Sequence, residues 1–360
     1  MNILIFGSSD SSFNSVRPEA EIFIGMAGRG HNVTVVTHAN TEYSKIFEQN
    51  GIKVIGHHPK HKISFESIAI IRAELQSKRY DIVYASNSKT IPNAAFACIG
   101  IPVKLITYRG TTGGLYRHDP SAYLTHLHPR VDGIICVAEA VREDVIQRVW
   151  KNKNNVVAIH KGHDLAWYNK PPADLTEFGI TKEDFTVICA VNARPSKGIS
   201  VMLEASNYLS DISNLHILLV GKNMDVEPYA SLIKNSKMGR RIHVAGYRFD
   251  APELIHASDI LVQPSISGEG LPRAVMEAMG YGTPVVITTA GGGKEVVDDG
   301  VTGFIVPTND PEGIAGKVRQ LCENPELAAK MSENCITKLQ TDLSSRRTVE
   351  RYIEYFESLL

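Results

Sequence analysis

Two glutamates mark the stretch with most chemical potential, PSISGEGLPRAVMEAMGYGTPVVITTAGGGKEVVDDGVTG, from Pro264 to Gly303. Glu269 and Glu277 stand eight positions apart across a loop-to-helix junction. Gly270 lets the backbone turn, and Pro272 suits the first turn of a helix, where its missing N–H costs nothing. Ala274 to Met279 continues with an apolar, helical rhythm. A loop that feeds a helix start aims free N–H groups and the positive end of the helix dipole at one spot, which favours an anion. A carboxylate is acceptor-only and takes two hydroxyls. Together these features point to a phosphorylated, hydroxyl-rich ligand, with Glu277 reaching a second part of it. Two cations, Arg194 and Lys197, follow one strand and precede a helix. Open α/β sheets bind ligands at that position.

The elements that must hold these residues read as alternating strands and helices. In the first half, apolar runs predict strands at Asn2 to Phe6, Asn32 to Thr37, Lys53 to Gly56, Asp81 to Ala85, Val103 to Thr107, Ile134 to Val137 and Val156 to Ile159. Helices are expected at Arg17 to Ala27, with Pro18 in the first turn, and at Phe65 to Lys78, Ile91 to Gly100 and Ala140 to Val149. Lys170-Pro171-Pro172 reads as a linker, and a second alternation follows from Phe185. It includes strands at Ile260 to Gln263, Val285 to Thr288, Glu295 to Asp298 and Phe304 to Val306. Such spacing implies α/β architecture with mostly parallel sheets: two Rossmann-like domains with a cleft between them.

Composition narrows the classes. The chain has 360 residues, about right for two domains, with 43% hydrophobic and 21% charged residues. Net charge is −1, which argues against broad nucleic-acid binding. Five widely spaced cysteines without a C-x-x-C read as reduced thiols in a cytosolic protein. No run of about 18 apolar residues predicts a spanning helix. The start, MNILIFGSS, reads as a core strand instead of a leader. A cytoplasmic location follows, and peripheral contact with the inner face of a membrane is compatible with it. G-x-G-x-x-G after the first strand, G-x4-G-K-[ST], G-x-S-x-G and D-x-D are all absent, and His57, His58 and His61 lie in a Lys-rich connection.

Four segments in order carry a family resemblance: NARPSKG (Asn192 to Gly198), HVAGYRFDAPELIHASDILVQPS (His243 to Ser265), EGLPRAVMEAMGYGTPVV (Glu269 to Val286) and GGGKEVVDDGVTGFIV (Gly291 to Val306). IHKGHD, Ile159 to Asp164, resembles the family's interdomain segment. The set resembles glycosyltransferase family 4, retaining enzymes of the GT-B fold. That resemblance implies two Rossmann-like domains facing across a cleft: an acceptor-binding domain over 1–168, a nucleotide-sugar-binding domain over 169–343, and a C-terminal helix, 344–360, returning to the first domain. It implies Arg194 and Lys197 at the donor diphosphate, Glu269 at the donor sugar and Glu277 at the ribose. It also places Gly270, Leu271 and Pro272 near sugar and phosphate, and Gly246, Tyr247 and Arg248 near the base. Arg248 reads equally as a surface residue. The implied partners are a nucleotide sugar, a UDP-sugar ahead of GDP- or ADP-sugars, and a saccharide or lipid-linked saccharide acceptor, in the setting of surface polysaccharide or lipopolysaccharide synthesis. No cofactor and no metal are implied, since cations stand at the diphosphate.

The first half departs from the family pattern twice. In place of a Gly-Gly pair after the first strand stands Gly7-Ser8-Ser9-Asp10-Ser11-Ser12, so Ser8, Ser9 and Ser12 are the candidate phosphate or acceptor loop. In place of a histidine near the transferred sugar stands Arg109, in TYRGTTGG, with His118, His126 and His128 beyond it. Arg109 stays protonated and is a poor base. It either binds donor phosphate or acceptor through its planar guanidinium, or ties down the Gly-rich loop. His118 reads as a loop histidine or a catalytic one. Two rivals to transfer remain open: a sugar-nucleotide epimerase of the same fold, and a nucleotide-sugar-binding protein without turnover.

Overall fold

The computed structural model describes residues 1–360. The chain forms two compact units, Met1–Gly162 with Ser345–Leu360, and His163–Ser344. The Lys170-Pro171-Pro172 segment therefore lies inside the second unit.

The first unit runs β1 (Asn2–Phe6), α1 (Phe13–Gly28), β2 (Asn32–Thr37), α2 (Glu42–Gln49), β3 (Lys53–Gly56) and α3 (Phe65–Ser77). It continues through β4 (Ile82–Ala85), α4 (Thr90–Ala97), β5 (Lys104–Arg109), β6 (Gly133–Cys136), α5 (Glu139–Arg148) and β7 (Val156–Ala158). The strands form one parallel sheet in the order β3-β2-β1-β4-β5-β6-β7. Sequence order reverses between β1 and β4, the switch point at which open sheets hold ligands beyond the strands' carboxyl ends.

Two expectations are corrected here. Helix α1 begins at Phe13, because the Ser12 carbonyl accepts from Ser15 N (2.8 Å) and Val16 N (3.2 Å) and closes a turn before Arg17. Pro18 therefore sits inside the helix. Helix α2 is an addition to the expected elements: Thr41 accepts from Ser44 N as its cap, and Tyr43 and Phe47 bury one turn apart.

The second unit runs β8 (Phe185–Ala190), α6 (Ile199–Ser206), β9 (Leu215–Val220), α7 (Tyr229–Asn235), β10 (Ile242–Gly246) and α8 (Ala251–His256). Then come β11 (Ile260–Gln263), α9 (Arg273–Tyr281), β12 (Val285–Thr288), β13 (Gly303–Val306), α10 (Pro311–Cys322) and α11 (Pro325–Thr341). Its parallel sheet has the order β10-β9-β8-β11-β12-β13, with the switch point between β8 and β11. Both faces are covered, and the strands are mostly apolar. Val187, Ile217, Leu219, Ile260 and Val262 join one core with α6 and α10. Ile188, Leu218 and Leu261, one residue out of phase, join the other with α9. The strand expected at Glu295 to Asp298 is instead the end of a 3-10 turn, Gly291–Glu295. Val296 and Val297 supply buried bulk without ladder pairing.

Helix α12 (Ser345–Glu357) belongs to the first unit and sends Val349, Tyr352 and Phe356 into that unit's core. All five cysteines are free thiols. No helix is long and apolar enough to cross a membrane.

Candidate active site

The second unit brings Lys197 and Glu269 together at the β8–β11 switch point. The loop after β8 carries Arg194 and Lys197, and the loop after β11 carries Glu269. Lys197 Nζ lies 2.6 Å from Glu269 Oε1. Ser265 Oγ donates to the same oxygen at 2.5 Å and Gln263 Nε2 at 3.1 Å. Three donors thus converge on Oε1, and none of them engages Oε2. Glu269 is 6% exposed and Ser265 1%, so the pair is largely withdrawn from water and its geometry is held firmly. Arg194 is exposed on the same loop.

Backbone contacts stitch these loops. Ile266 N donates to Ser196 O at 2.8 Å, joining the loops after β11 and β8. Gly292 N donates to Gly270 O at 2.9 Å, joining the loops after β12 and β11. Two glycines permit the approach. Gly198 has φ +68, and a Cβ on it would fall 1.8 Å from Pro264 O. Gly291 has φ +61, and a Cβ would fall 2.2 Å from Glu269 O. Both need the left-handed region and an empty side.

Helix α9 starts directly after this loop, with Pro272 at its N-cap and Gly270 and Leu271 just before it. Glu277 is on the helix, 7% exposed, with Arg273 Nε 3.3 Å from its carboxylate. Burial pushes the Glu277 carboxyl up to about 7; Arg273 works against that shift and Glu253 adds to it. At the end of β10, Gly246 accepts from Gly221 N at 2.7 Å. Tyr247 follows, 46% exposed, with Lys222 Nζ 4.9 Å from its ring centre. Arg248 is already occupied: it makes two bonds to Asp250 (2.8 and 2.7 Å) and one to Glu177 (2.9 Å). These bonds tie half-buried Arg248 to acids of its own unit. Gln263 and Ser265 are the partners sequence reasoning did not single out. Their signal was position, at the end of β11 and just past it.

The remaining candidates belong to the first unit. Arg109, at the end of β5, donates Nε to Thr111 O (3.1 Å) and Nη2 to Gly113 O, while Asp144 accepts from Gly113 N (2.9 Å). These bonds tie Arg109 to its own Gly-rich loop. His126 is buried against Thr107 Oγ1 (3.0 Å), and burial, helped by Arg109, lowers it to about 3, so it is neutral. His118 is exposed and stacks on Tyr116 at 5.3 Å. Ser9 is buried and bonded to Thr37 (2.9 Å) and Thr41 (2.7 Å), which makes it a fastener of the loop after β1. Ser8 faces His38 (3.4 Å) and Ser12 pairs with Ser15 (2.7 Å).

Comparison with known proteins adds the family. Putative glycosyltransferase EpsD of Bacillus subtilis is 29% identical over 185 residues, a match spanning 51% of this chain and only 48% of EpsD. The N-acetyl-alpha-D-glucosaminyl L-malate synthase of Bacillus anthracis is 24% identical, spanning 93% of this chain and 91% of the relative. The UDP-Gal:alpha-D-GlcNAc-diphosphoundecaprenol alpha-1,3-galactosyltransferase of Escherichia coli is 25% identical, spanning 77% and 75%. Anabaena HepE, crystallised with UDP, shares the fold at a TM-score of 0.81 and 21% identity, with 99% of this chain and 100% of that one covered. The model for glycosyl transferases group 1 matches residues 172–338, and the model for Glycosyltransferase Family 4 matches residues 20–167. With those two matches covering both units, the chain belongs to the family 4 glycosyltransferases and has their GT-B fold.

Proposed function

We propose that the chain moves a sugar, with retention of anomeric configuration, from a UDP-sugar to a hydroxyl of a saccharide or lipid-linked saccharide acceptor, in surface polysaccharide or lipopolysaccharide assembly. The observation that carries this reading is the convergence of Lys197, Ser265 and Gln263 on one oxygen of Glu269 at the switch point. Breaking the bond to a diphosphate leaves negative charge on it, and fixed cations stabilise that state more than the ground state. Lys197 and Arg194 are the cations in reach of such a group. Glu269, with Oε1 taken by protein donors, keeps Oε2 for a sugar hydroxyl. Glu277 accepts from the ribose, Gly270 and Leu271 offer backbone N–H groups to the phosphates, and Gly246 and Tyr247 meet the base. The first unit holds the acceptor. The acceptor oxygen bonds to the anomeric carbon as the bond to the diphosphate breaks, and the leaving phosphate oxygen takes the acceptor proton. The names of the relatives support the substrates: the Escherichia coli relative is named for UDP-Gal and a diphosphoundecaprenol acceptor, and HepE has been crystallised with UDP-glucose.

The test is to incubate the protein with UDP-, GDP- and ADP-sugars, with and without saccharide acceptors. The expected result is UDP release that depends on acceptor, and a product whose new bond keeps the donor's configuration by NMR. Epimerised donor without acceptor, or tight donor binding with no product, would overturn the proposal.

A further inference from the structure

We infer that the end of α7 and the turn leading from it to β10 form a second anion site of the second unit, which takes a small soluble ligand carrying linked phosphates. The segment reads KNSKMGRR, Lys234 to Arg241, with four cations and no acid in eight residues of a chain whose net charge is −1. It borders a surface cavity of about 470 Å³, inside the range of small-molecule sites. All four cations line that cavity and no carboxylate does.

The cations divide by role. Arg241 is a strut: its guanidinium donates to the carbonyls of Ser210 (2.8 Å), Leu215 (3.2 Å) and Ile212. Lys234, Lys237 and Arg240 are exposed, and none of the three forms an ion pair or a side-chain hydrogen bond. Asp211 lies near enough to feel Arg241, but its carboxylate is turned onto Arg319 (2.9 and 2.7 Å). Cations crowded in this way repel one another, and an anion set among them relieves that repulsion. Three unpaired positive charges exceed what a single orthophosphate neutralises, so linked phosphates match them better. Met238 beside them is buried, and no aromatic ring lines the cavity. The site therefore reads the ligand's charge.

The backbone holds these cations in place. Ser236 accepts from Met238 N through its hydroxyl (3.1 Å) and from Gly239 N through its carbonyl (3.0 Å), and its hydroxyl meets that of Ser206 at 2.7 Å. Asn207 Oδ1 accepts from Lys237 N at 2.9 Å. A Cβ on Gly239 would fall 2.9 Å from Ile233 O, so the turn closes tightly on the end of α7. The segment precedes β10, whereas Lys197 and Glu269 follow β8 and β11. In a parallel sheet those are opposite edges, so the two sites are separate.

Isothermal titration of the full chain with inorganic tripolyphosphate at low salt, with no donor or acceptor present, tests this apart from sugar transfer. An exposed ion pair contributes up to about fivefold, so Lys234→Ala, Lys237→Ala and Arg240→Ala together should weaken binding roughly hundred-fold. Lys197→Ala, at the proposed donor site, should leave that binding event intact. Amide hydrogen exchange should slow over 234–241 when tripolyphosphate is added. Without ligand, the triple variant should keep the parent's circular dichroism and a Tm no lower, because exposed, mutually repelling charges are removed. Binding that Lys197→Ala abolishes and the triple variant keeps would overturn the inference, since the donor site would then account for it. So would equal affinity for orthophosphate at matched ionic strength, or protection of this turn by phosphatidylglycerol vesicles but not by tripolyphosphate.

Discussion

At the scale of residues, two carboxylates of one unit are both buried beside a cation. Glu269 is buried with a cation 2.6 Å away and two neutral donors on the same oxygen. Lys197→Ala removes that cation from a withdrawn carboxylate and from the proposed diphosphate site together. We expect kcat to fall about 10²–10³-fold, as for loss of a fixed donor to developing charge. An unchanged kcat would sink the assignment. Glu277 is buried with Arg273 as its cation, 3.3 Å away, and is raised to about 7. Between about pH 4.5 and 7 the folded protein therefore holds a proton the unfolded chain has released. Stability falls as pH rises through that window, then levels off. Glu277→Gln cannot ionise. It should gain up to roughly 3 kcal/mol over the parent above pH 7 and nothing below pH 4.5, measured by denaturant unfolding at both ends. Above pH 7, where Glu277 is ionised in the parent, the variant's affinity for the donor should fall about tenfold, because a charge-assisted acceptor for the ribose is lost. A variant that is no more stable at high pH would mean that burial does not control this group.

At the scale of elements, the site is a set of loops at strand ends, drawn together by close backbone contact. Gly198→Ala places a methyl group where Pro264 O already is and forces a left-handed alanine. The loops bearing Lys197 and Glu269 must then separate. We expect stability to drop by about 1–3 kcal/mol and activity to fall although alanine touches no ligand. Full activity would show that the loop spacing tolerates the change. This architecture was largely legible in the chain. Runs such as ILVQ and VVIT read as strands covered on both faces, and the resemblance put Lys197 and Glu269 at one donor. Three features were not legible, each for a local reason. EVVD reads as a strand because two valines are adjacent, yet Val296 and Val297 bury from a turn. Helix α2 is short and polar, and only its Thr41 cap and the Tyr43–Phe47 pair mark it. Whether Arg109 binds a ligand or its own loop depends on where the Thr111 and Gly113 carbonyls turn, which spacing does not encode.

At the scale of the whole molecule, the chain leaves the first unit after Gly162 and returns to it at Ser345, so that unit is complete only when the last helix has been made. Helix α12 fastens itself to the segment around β7. Thr348 Oγ1 donates to His160 O (2.9 Å) and accepts from Gly162 N (2.9 Å), and Tyr355 Oη donates to Asn155 O (2.5 Å). Its apolar side does more. Tyr352 and Phe356 are fully buried, with ring centres 6.0 and 6.3 Å from that of Tyr84 on β4. Phe356→Ala would leave a cavity against the middle of the first sheet and should cost about 3–5 kcal/mol. The loss should be confined to one unit. Amide hydrogen exchange should speed up in β1, β4 and β5, whose residues share that core, while β8 and β11 keep their protection. Equal loss of protection in β8 would show that the two units unfold as one and that α12 stabilises the entire chain.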